Sequence, residues 1–370
     1  MFHVMKVADV LVRHIKKVFA EDIAIVAYYG SYAQGTATSR SDLDFFFIPL
    51  NSKGYNASIQ FVLHGISFDF WPISWERAEK MACYEDSKTS IIADSIVLYS
   101  RSENDLNRFR QLKQTIITCP QEGLPFLERA EAKIGEAYVY LHKMNQHVNS
   151  EDLTFHRHQA YGVLTTILYS IALINRTYLV KGWGKNTEQI MNFSLLPDRL
   201  DTLIHTIMHS ISCETIHSAC EELTARTLQL LKEQLNEYTS PPAYPTRMKG
   251  FYEEIKGTLD KVRTACETND YETAFFGAIH VQDLISNFLF YAENGFWPST
   301  LDPSLEYQSV YKESGLPNIV SILDNKEMSE LNKAIEDLDS SLRSLLLSKG
   351  VHIHEFRSIE QLEKYLSEQE

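Results

Sequence analysis

Tyr29-Gly30-Ser31-Tyr32-Ala33-Gln34-Gly35, then Ser39-Arg40-Ser41-Asp42-Leu43-Asp44 and the apolar run Phe45-Phe46-Phe47-Ile48, decide the fold of this 370-residue chain. A Gly-Ser turn at the end of a buried strand leaves backbone N–H groups and a hydroxyl free to face an anion. A helix starting after it would add its dipole. Along a strand, residues i and i+2 point to the same side. Asp42 and Asp44 can therefore stand side by side while Leu43 and Phe45 turn into the core. Paired carboxylates on one face bind hard cations such as Mg²⁺.

Before this stretch, Val7, Val10, Leu11, Ile15, Val18 and Phe19 recur at helical spacing over 5–20, and Ile23 to Tyr29 is a compact apolar run suited to a buried strand. After it, a second strand is expected from Leu43 to Leu50, closed by Pro49 and the Asn51-Ser52-Lys53-Gly54 turn. A hairpin follows, Ile59 to Leu63 and Ile66 to Ile73 about His64-Gly65, and Ser95 to Tyr99 can add one more strand. From Ser74 onward the periods are otherwise helical. Helices are expected at 126–147, 155–180, 187–193 and 199–238, then at 248–267, 270–293, 326–348 and 357–368. The breakers Cys119-Pro120, Gly123-Leu124-Pro125 and Ser240-Pro241-Pro242 set the expected divisions: a sheet domain over 1–120, a helical bundle over 121–240, and a second bundle or extension over 241–370. The class is α+β, a small mixed sheet followed by helical bundles.

The hairpin supplies a third acid, Asp69, within Ile66-Ser67-Phe68-Asp69-Phe70-Trp71. Lying beside the Asp pair among large apolar residues, it could ligate a metal ion or act as a general base whose carboxyl is raised by like charge and burial.

Gly30-Ser31, Asp42-Leu43-Asp44 and the later Asp69 together resemble the DNA-polymerase-β-like nucleotidyltransferase superfamily. The hairpin and the helices after it look like its antibiotic (aminoglycoside, kanamycin-type) branch. The resemblance is specific over residues 25–75. It implies two Mg²⁺ ions on Asp42, Asp44 and Asp69, and an NTP co-substrate, ATP being the expected one, with its triphosphate at Gly30 and Ser31. It also implies a helical domain that closes over the substrate. Asn175-Arg176-Thr177-Tyr178 leading to Lys181-Gly182-Trp183-Gly184-Lys185 resembles helical-domain segments from which a lysine reaches the triphosphate, a role assigned to Lys185. Glu131 and Glu136 are reserve candidates for the base, although neither reproduces the branch's glutamate-then-lysine spacing.

The rest of the composition restricts the partners. A formal net charge of −14, from 49 acidic and 35 basic residues, disfavours a phosphate-neutralising nucleic-acid surface and suits a cationic small-molecule acceptor. Five scattered cysteines without a CxxC favour reduced thiols over a disulfide framework or structural zinc. The start Met1-Phe2-His3-Val4 has no signal profile and no apolar run approaches the ~20 residues that span a bilayer, so a cytoplasmic protein without membrane contact is expected. A site completed by a helical domain is compatible with a homodimer. His156/His158 and His352/His354 read as ordinary surface or core histidines, because i and i+2 on a helix face apart. Alternative functions are nucleotidylylation of a protein or RNA, a regulator that binds nucleotide without transfer, and a ribonuclease built on Arg199 and His205.

Overall fold

A computed structural model describes residues 4–38, 41–181, 185–324 and 327–368. The chain divides into two compact units, Met1–Gln234 and Leu235–Glu370.

The first unit opens with α1 (Met5–Val18), whose Val7, Ala8 and Ile15 are buried. Five strands follow: β1 (Ile23–Tyr29), β2 (Asp44–Pro49), β3 (Ile59–Leu63), β4 (Ile66–Pro72) and β5 (Ile96–Ser100). They form one sheet in the order β3-β4-β2-β1-β5. It is mixed: β2 runs parallel to β4 with Phe45 opposite Phe70, and the other pairs are antiparallel. The β3–β4 hairpin turns on His64 (φ 53°) and Gly65 (φ 78°), two successive positive φ angles that suit a tight two-residue connection.

Phe45, Phe46, Phe47 and Ile48 are all fully buried, so β2 is a central strand covered on both sides. One face, with Phe45, Phe47, Phe68 and Phe70, packs with Val7, Ile15 and Phe19. On the other, the Phe46 ring meets Phe109 of the helix Glu103–Thr118 at 6.2 Å. Burying rings of this size contributes roughly 1.5–3 kcal/mol each, which fixes β2 and with it the position of Asp44.

Between β4 and β5 lie α2 (Trp75–Ala82) and α3 (Thr89–Ala93), and after β5 comes α4 (Glu103–Thr118). Ser74 and Ser102 cap α2 and α4 by accepting from the N–H groups of Arg77 and Asp105. Next come α5 (Gly123–Gln146) and α6 (Leu153–Ile174). They pack closely because Gly162 has no side chain where Tyr140 lies, and Ser170 donates to the carbonyl of Ala130 at 2.9 Å. The remaining helices of this region are α7 (Asn186–Ile190), α8 (Leu200–His209) and α9 (Cys213–Asn236).

The second unit contains α10 (Tyr244–Arg247), α11 (Phe251–Glu267), α12 (Tyr271–Asn294), α13 (Glu306–Glu313), α14 (Met328–Ser348) and α15 (Ile359–Ser367). Its core joins Ile255 and Leu259 of α11, Val281, Ile285 and Leu289 of α12, and Leu331, Ile335 and Leu338 of α14. Asp270 caps α12 at one end and Gly295, at φ 87°, ends it at the other.

Two helical expectations need correction, and one further helix was not foreseen. The helix expected over 155–180 stops at Ile174, where Arg176 takes φ 54° and the following residues extend. The single helix expected over 199–238 is two. Ser210 Oγ accepts from Ser212 N–H, and Ser212 Oγ accepts from Thr215 N–H, so two short side chains compete with the helix for its backbone. The helix Glu306–Glu313 was not expected at all. Among the described residues no helix is long and apolar enough to cross a membrane.

Candidate active site

β1 ends at Tyr29, and the chain reverses at Gly30, whose φ of 73° lies in the region that glycine adopts without strain. Gln34 N–H donates to Gly30 O (3.0 Å), Gly35 N–H to Tyr32 O and Thr36 N–H to Ser31 O (2.8 Å). These bonds make an isolated turn, so the helix expected to lend its dipole after Ser31 is absent among the described residues. Among those residues no backbone hydrogen bond engages the N–H groups of Ser31, Tyr32 and Ala33. Three donors in a row at a glycine turn are what an anion requires.

Asp44, the first residue of β2, pairs across the ladder with Tyr29. Its carboxylate lies against the bare Cα of Gly30, where an added Cβ would collide with Asp44 Oδ2 and stand 3.2 Å from its Cγ. Glycine is therefore required twice at this position, for its φ and for the carboxylate beside it. Asp42, two residues earlier, is also half-buried, while Leu43 between them and Phe45 after them are fully buried. This alternation sends both acids away from the core. Ser39 and Arg40 lie outside the described residues.

Asp69 stands one residue before Phe70, the β4 partner of Phe45, and so occupies the strand position beside Asp44. The side chain is exposed rather than buried, and Gln60 Nε2 donates to its Oδ1 at 2.9 Å. Its apolar neighbours Phe68 and Phe70 alternate onto the opposite face. Burial acts instead on Asp44. Its carboxyl is pushed up to about 6 by desolvation, and then by the negative charges of Asp42 and Asp69. The hydroxyl of half-buried Tyr29, the cross-strand partner of Asp44, is pushed up to about 12 by desolvation and then by the Asp44 charge, and accepts a hydrogen bond from Trp71 Nε1 at 3.2 Å. The Arg77 guanidinium lies 5.3 Å from the centre of the Trp71 ring. The Tyr29–Trp71 pair was missed in the sequence. Trp71 shares a strand face with Asp69, a legible signal, but the cross-strand partnership of Tyr29 with Asp44 is set by register alone.

Among the described residues no ion pair or hydrogen bond engages the carboxylates of Asp42 and Asp44. No group of three or more His, Cys, Asp or Glu side chains is gathered to hold a metal ion among them. Two uncompensated carboxylates beside a phosphate-type turn, with a third acid at arm's length, fit Mg²⁺ in character. That ion is usually held by one or two carboxylates, with substrate phosphates and water completing its shell, and less often by an all-protein cage.

Lys185 is exposed immediately before α7, and no ion pair joins it to the three acids among the described residues. Gly182, Trp183 and Gly184 lie outside the described residues. Glu136 is paired with Lys133 at 2.6 Å. Arg199, at φ 60°, is bridged to Glu222 (2.8 Å), while His205 packs on the ring of His209 at 4.4 Å. His156 is buried with its Nδ1 3.0 Å from Asp152 O, and His354 lies between Glu253 and Tyr365. The five cysteines are free thiols.

Residues 106–237 match the family model of the KNTase C-terminal domain, which spans most of α4 and all of α5 to α9. The match supports kinship with nucleotidyltransferases through the helical region and does not include the strands carrying Asp42, Asp44 and Asp69. No curated protein matches the chain. Among solved structures, a nucleotidyltransferase-like protein from Exiguobacterium sibiricum 255-15 is similar at 10% identity with a TM-score of 0.38, covering 62% of this chain and 76% of that one.

Proposed function

We propose that the chain transfers a nucleoside monophosphate from an NTP to a hydroxyl group of a small-molecule acceptor. The observation that carries this reading is the uncompensated, half-buried carboxylate of Asp44, set against Gly30 at a turn with three unengaged N–H groups. The turn's N–H groups attract an anion that the neighbouring carboxylates repel unless cations lie between, and an NTP arrives with such cations.

In this reading the N–H groups of Ser31, Tyr32 and Ala33 and the Ser31 hydroxyl receive the triphosphate, while Asp42 and Asp44 hold Mg²⁺. Two such ions would neutralise charge on the triphosphate and polarise the α-phosphate. The acceptor oxygen forms its bond to the α-phosphorus, the bond from that phosphorus to the α,β-bridging oxygen breaks, and pyrophosphate leaves. Asp69, exposed at the strand position beside Asp44, takes the hydroxyl proton. Alignment and charge neutralisation supply most of the rate enhancement.

ATP is the first donor to test and an aminoglycoside-like polycation the first acceptor, since an overall charge of −14 attracts cations. The protein is incubated with Mg²⁺, each common NTP in turn and a panel of aminoglycosides and lincosamides, and pyrophosphate release is followed beside Asp42→Asn and Asp44→Asn variants. Acceptor-dependent release that both variants abolish is expected. NTP binding without turnover on any acceptor would overturn the small-molecule assignment and turn attention to protein or RNA targets.

A further inference from the structure

The turn that follows β1 carries a tether of its own. Gln34 spends its backbone N–H on closing the turn, and its side chain leaves the turn altogether. Nε2 donates to the carbonyl of Val180 at 2.9 Å and to Asp94 Oδ2 at 3.3 Å. Asp94, the residue that ends α3, accepts on its other oxygen from the Tyr178 hydroxyl at 3.1 Å. Gln189 of α7 closes the circuit: its Oε1 accepts from Val180 N–H and its Nε2 donates to Tyr178 O, both at 2.9 Å. Gln34, Asp94, Tyr178, Gln189 and Val180 thus form one ring of hydrogen bonds, in which the Gln34–Val180 bond spans 146 positions.

The ring rests on fixed elements at both ends. Lys113 of α4, half-buried, donates to the carbonyls of Ala93 (3.2 Å) and Ser95 (2.6 Å), on either side of Asp94. Asn175, just after α6, accepts from Leu195 N–H (3.0 Å) and donates to Leu195 O (2.7 Å), which ties the chain before Tyr178 to the chain after Gln189. The turn itself rests Tyr32 against the sheet core. It is bounded by Gly30 and Gly35, both at positive φ, and the residues after it, 36–38, are exposed and without regular structure. Gln34 connects this glycine-flanked segment to Asp94 and to Val180, beyond α6.

We propose that Gln34 is a positioning residue for the nucleotide. It holds the N–H groups of Ser31, Tyr32 and Ala33 in their ligand-binding arrangement and sets the turn against Asp94 and Val180. The inference rests on the reading of this turn as the triphosphate site. A turn free to move between its glycines must lose that freedom when the nucleotide binds, whereas a tethered turn has already lost it. Gln34 therefore acts on nucleotide affinity, and the chemical step, which depends on the carboxylates, is left nearly untouched.

The test uses the full chain with Gln34→Met, which keeps the side-chain length and removes the donor, Tyr178→Phe, and the two combined. The KM and kcat for MgATP are read in the pyrophosphate assay, the Kd for MgATP by equilibrium titration, and hydrogen exchange without ligand at the bonded turn amides of Gln34, Gly35 and Thr36. In Gln34→Met, KM and Kd should rise about tenfold with kcat within about twofold of the wild type, and exchange at the turn should quicken by a similar factor. Tyr178→Phe should weaken binding in the same direction. The double variant should be no worse than Gln34→Met alone, because both substitutions open the same ring. Unchanged exchange at residues 34–36, additive losses, or a fall in kcat at unchanged KM would overturn the role of Gln34. Quickened exchange in a protein whose wild type binds no MgATP would overturn the assignment of nucleotide to the turn, and with it the function proposed above, while leaving the tether itself in place.

Discussion

Asp44→Asn should make this protein more stable while removing its activity. The substitution keeps the shape of the side chain beside Gly30 and removes its charge. Burial, followed by the charges of Asp42 and Asp69, lifts the Asp44 carboxyl from 3.8 to about 6. A carboxyl whose folded pKa exceeds its unfolded value binds its proton more tightly in the folded state. Its contribution to stability is fully present below the unfolded value, falls as pH rises from about 4 to about 6, and is absent at neutral pH. A shift of about two pH units corresponds to about 3 kcal/mol at full effect, and partial solvent screening at a half-buried site brings the expected cost of the charge to about 1–2 kcal/mol. For a unit of this size that is a rise in melting temperature of roughly 2–8 °C for Asp44→Asn. Thermal melts of both proteins at pH 7.5 and pH 5 measure it. The gap should be clear at pH 7.5 and shrink at pH 5, where the native carboxyl is mostly protonated. Millimolar Mg²⁺ with ATP should raise the wild-type melt and leave the variant's unchanged, since ligand that binds only the folded state stabilises it. A variant that melts at or below the wild type at pH 7.5 would refute the argument that Asp44 is held charged and uncompensated.

Gly30→Ala places a side chain at positive φ and drives a Cβ into the Asp44 carboxylate. It should cost about 1–2 kcal/mol in a denaturant titration and lower turnover by about a hundredfold, because misplacing a reacting group by about 1 Å has that effect. In Asp69→Asn, kcat for nucleotidyl transfer should fall at least about tenfold with the melting temperature unchanged, as expected for an exposed general base; full activity would remove Asp69 from the mechanism. Ser212→Ala should destabilise the first unit by about 1 kcal/mol through loss of the cap on Thr215 N–H, measured by urea unfolding.

The sheet was legible because its strands are short apolar runs between strong punctuation. Ile23 to Tyr29 ends at Gly30, Phe45 to Ile48 ends at Pro49, and His64-Gly65 sits between two alternating segments. The helical boundaries were less so. Ser210 and Ser212 interrupt an otherwise continuous apolar period by capping, and a pattern that counts hydrophobic positions passes over them. The i, i+2 spacing of Asp42 and Asp44 foretold that both acids point away from the core, as the buried Leu43 and Phe45 around them require, although Asp42 lies before the first residue of β2. The exposure of Asp69 could not be read from Phe68 and Phe70, because an acid between aromatics in sequence is across the strand from them in space. Nor could the ring through Gln34, Asp94 and Tyr178, which depends on bringing an edge of the sheet domain to a loop some 146 residues onward. Contacts of that separation follow from tertiary packing and leave no local trace.

The most direct test of nucleotidyl transfer compares ATP labelled at the α-phosphate with ATP labelled at the γ-phosphate, in the presence of Mg²⁺ and an acceptor that supports pyrophosphate release. The α-label should become attached to the acceptor and the γ-label should leave in pyrophosphate, with neither event in Asp42→Asn or Asp44→Asn. Attachment of the γ-label to the acceptor, or α-label transfer that survives both substitutions, would contradict the account.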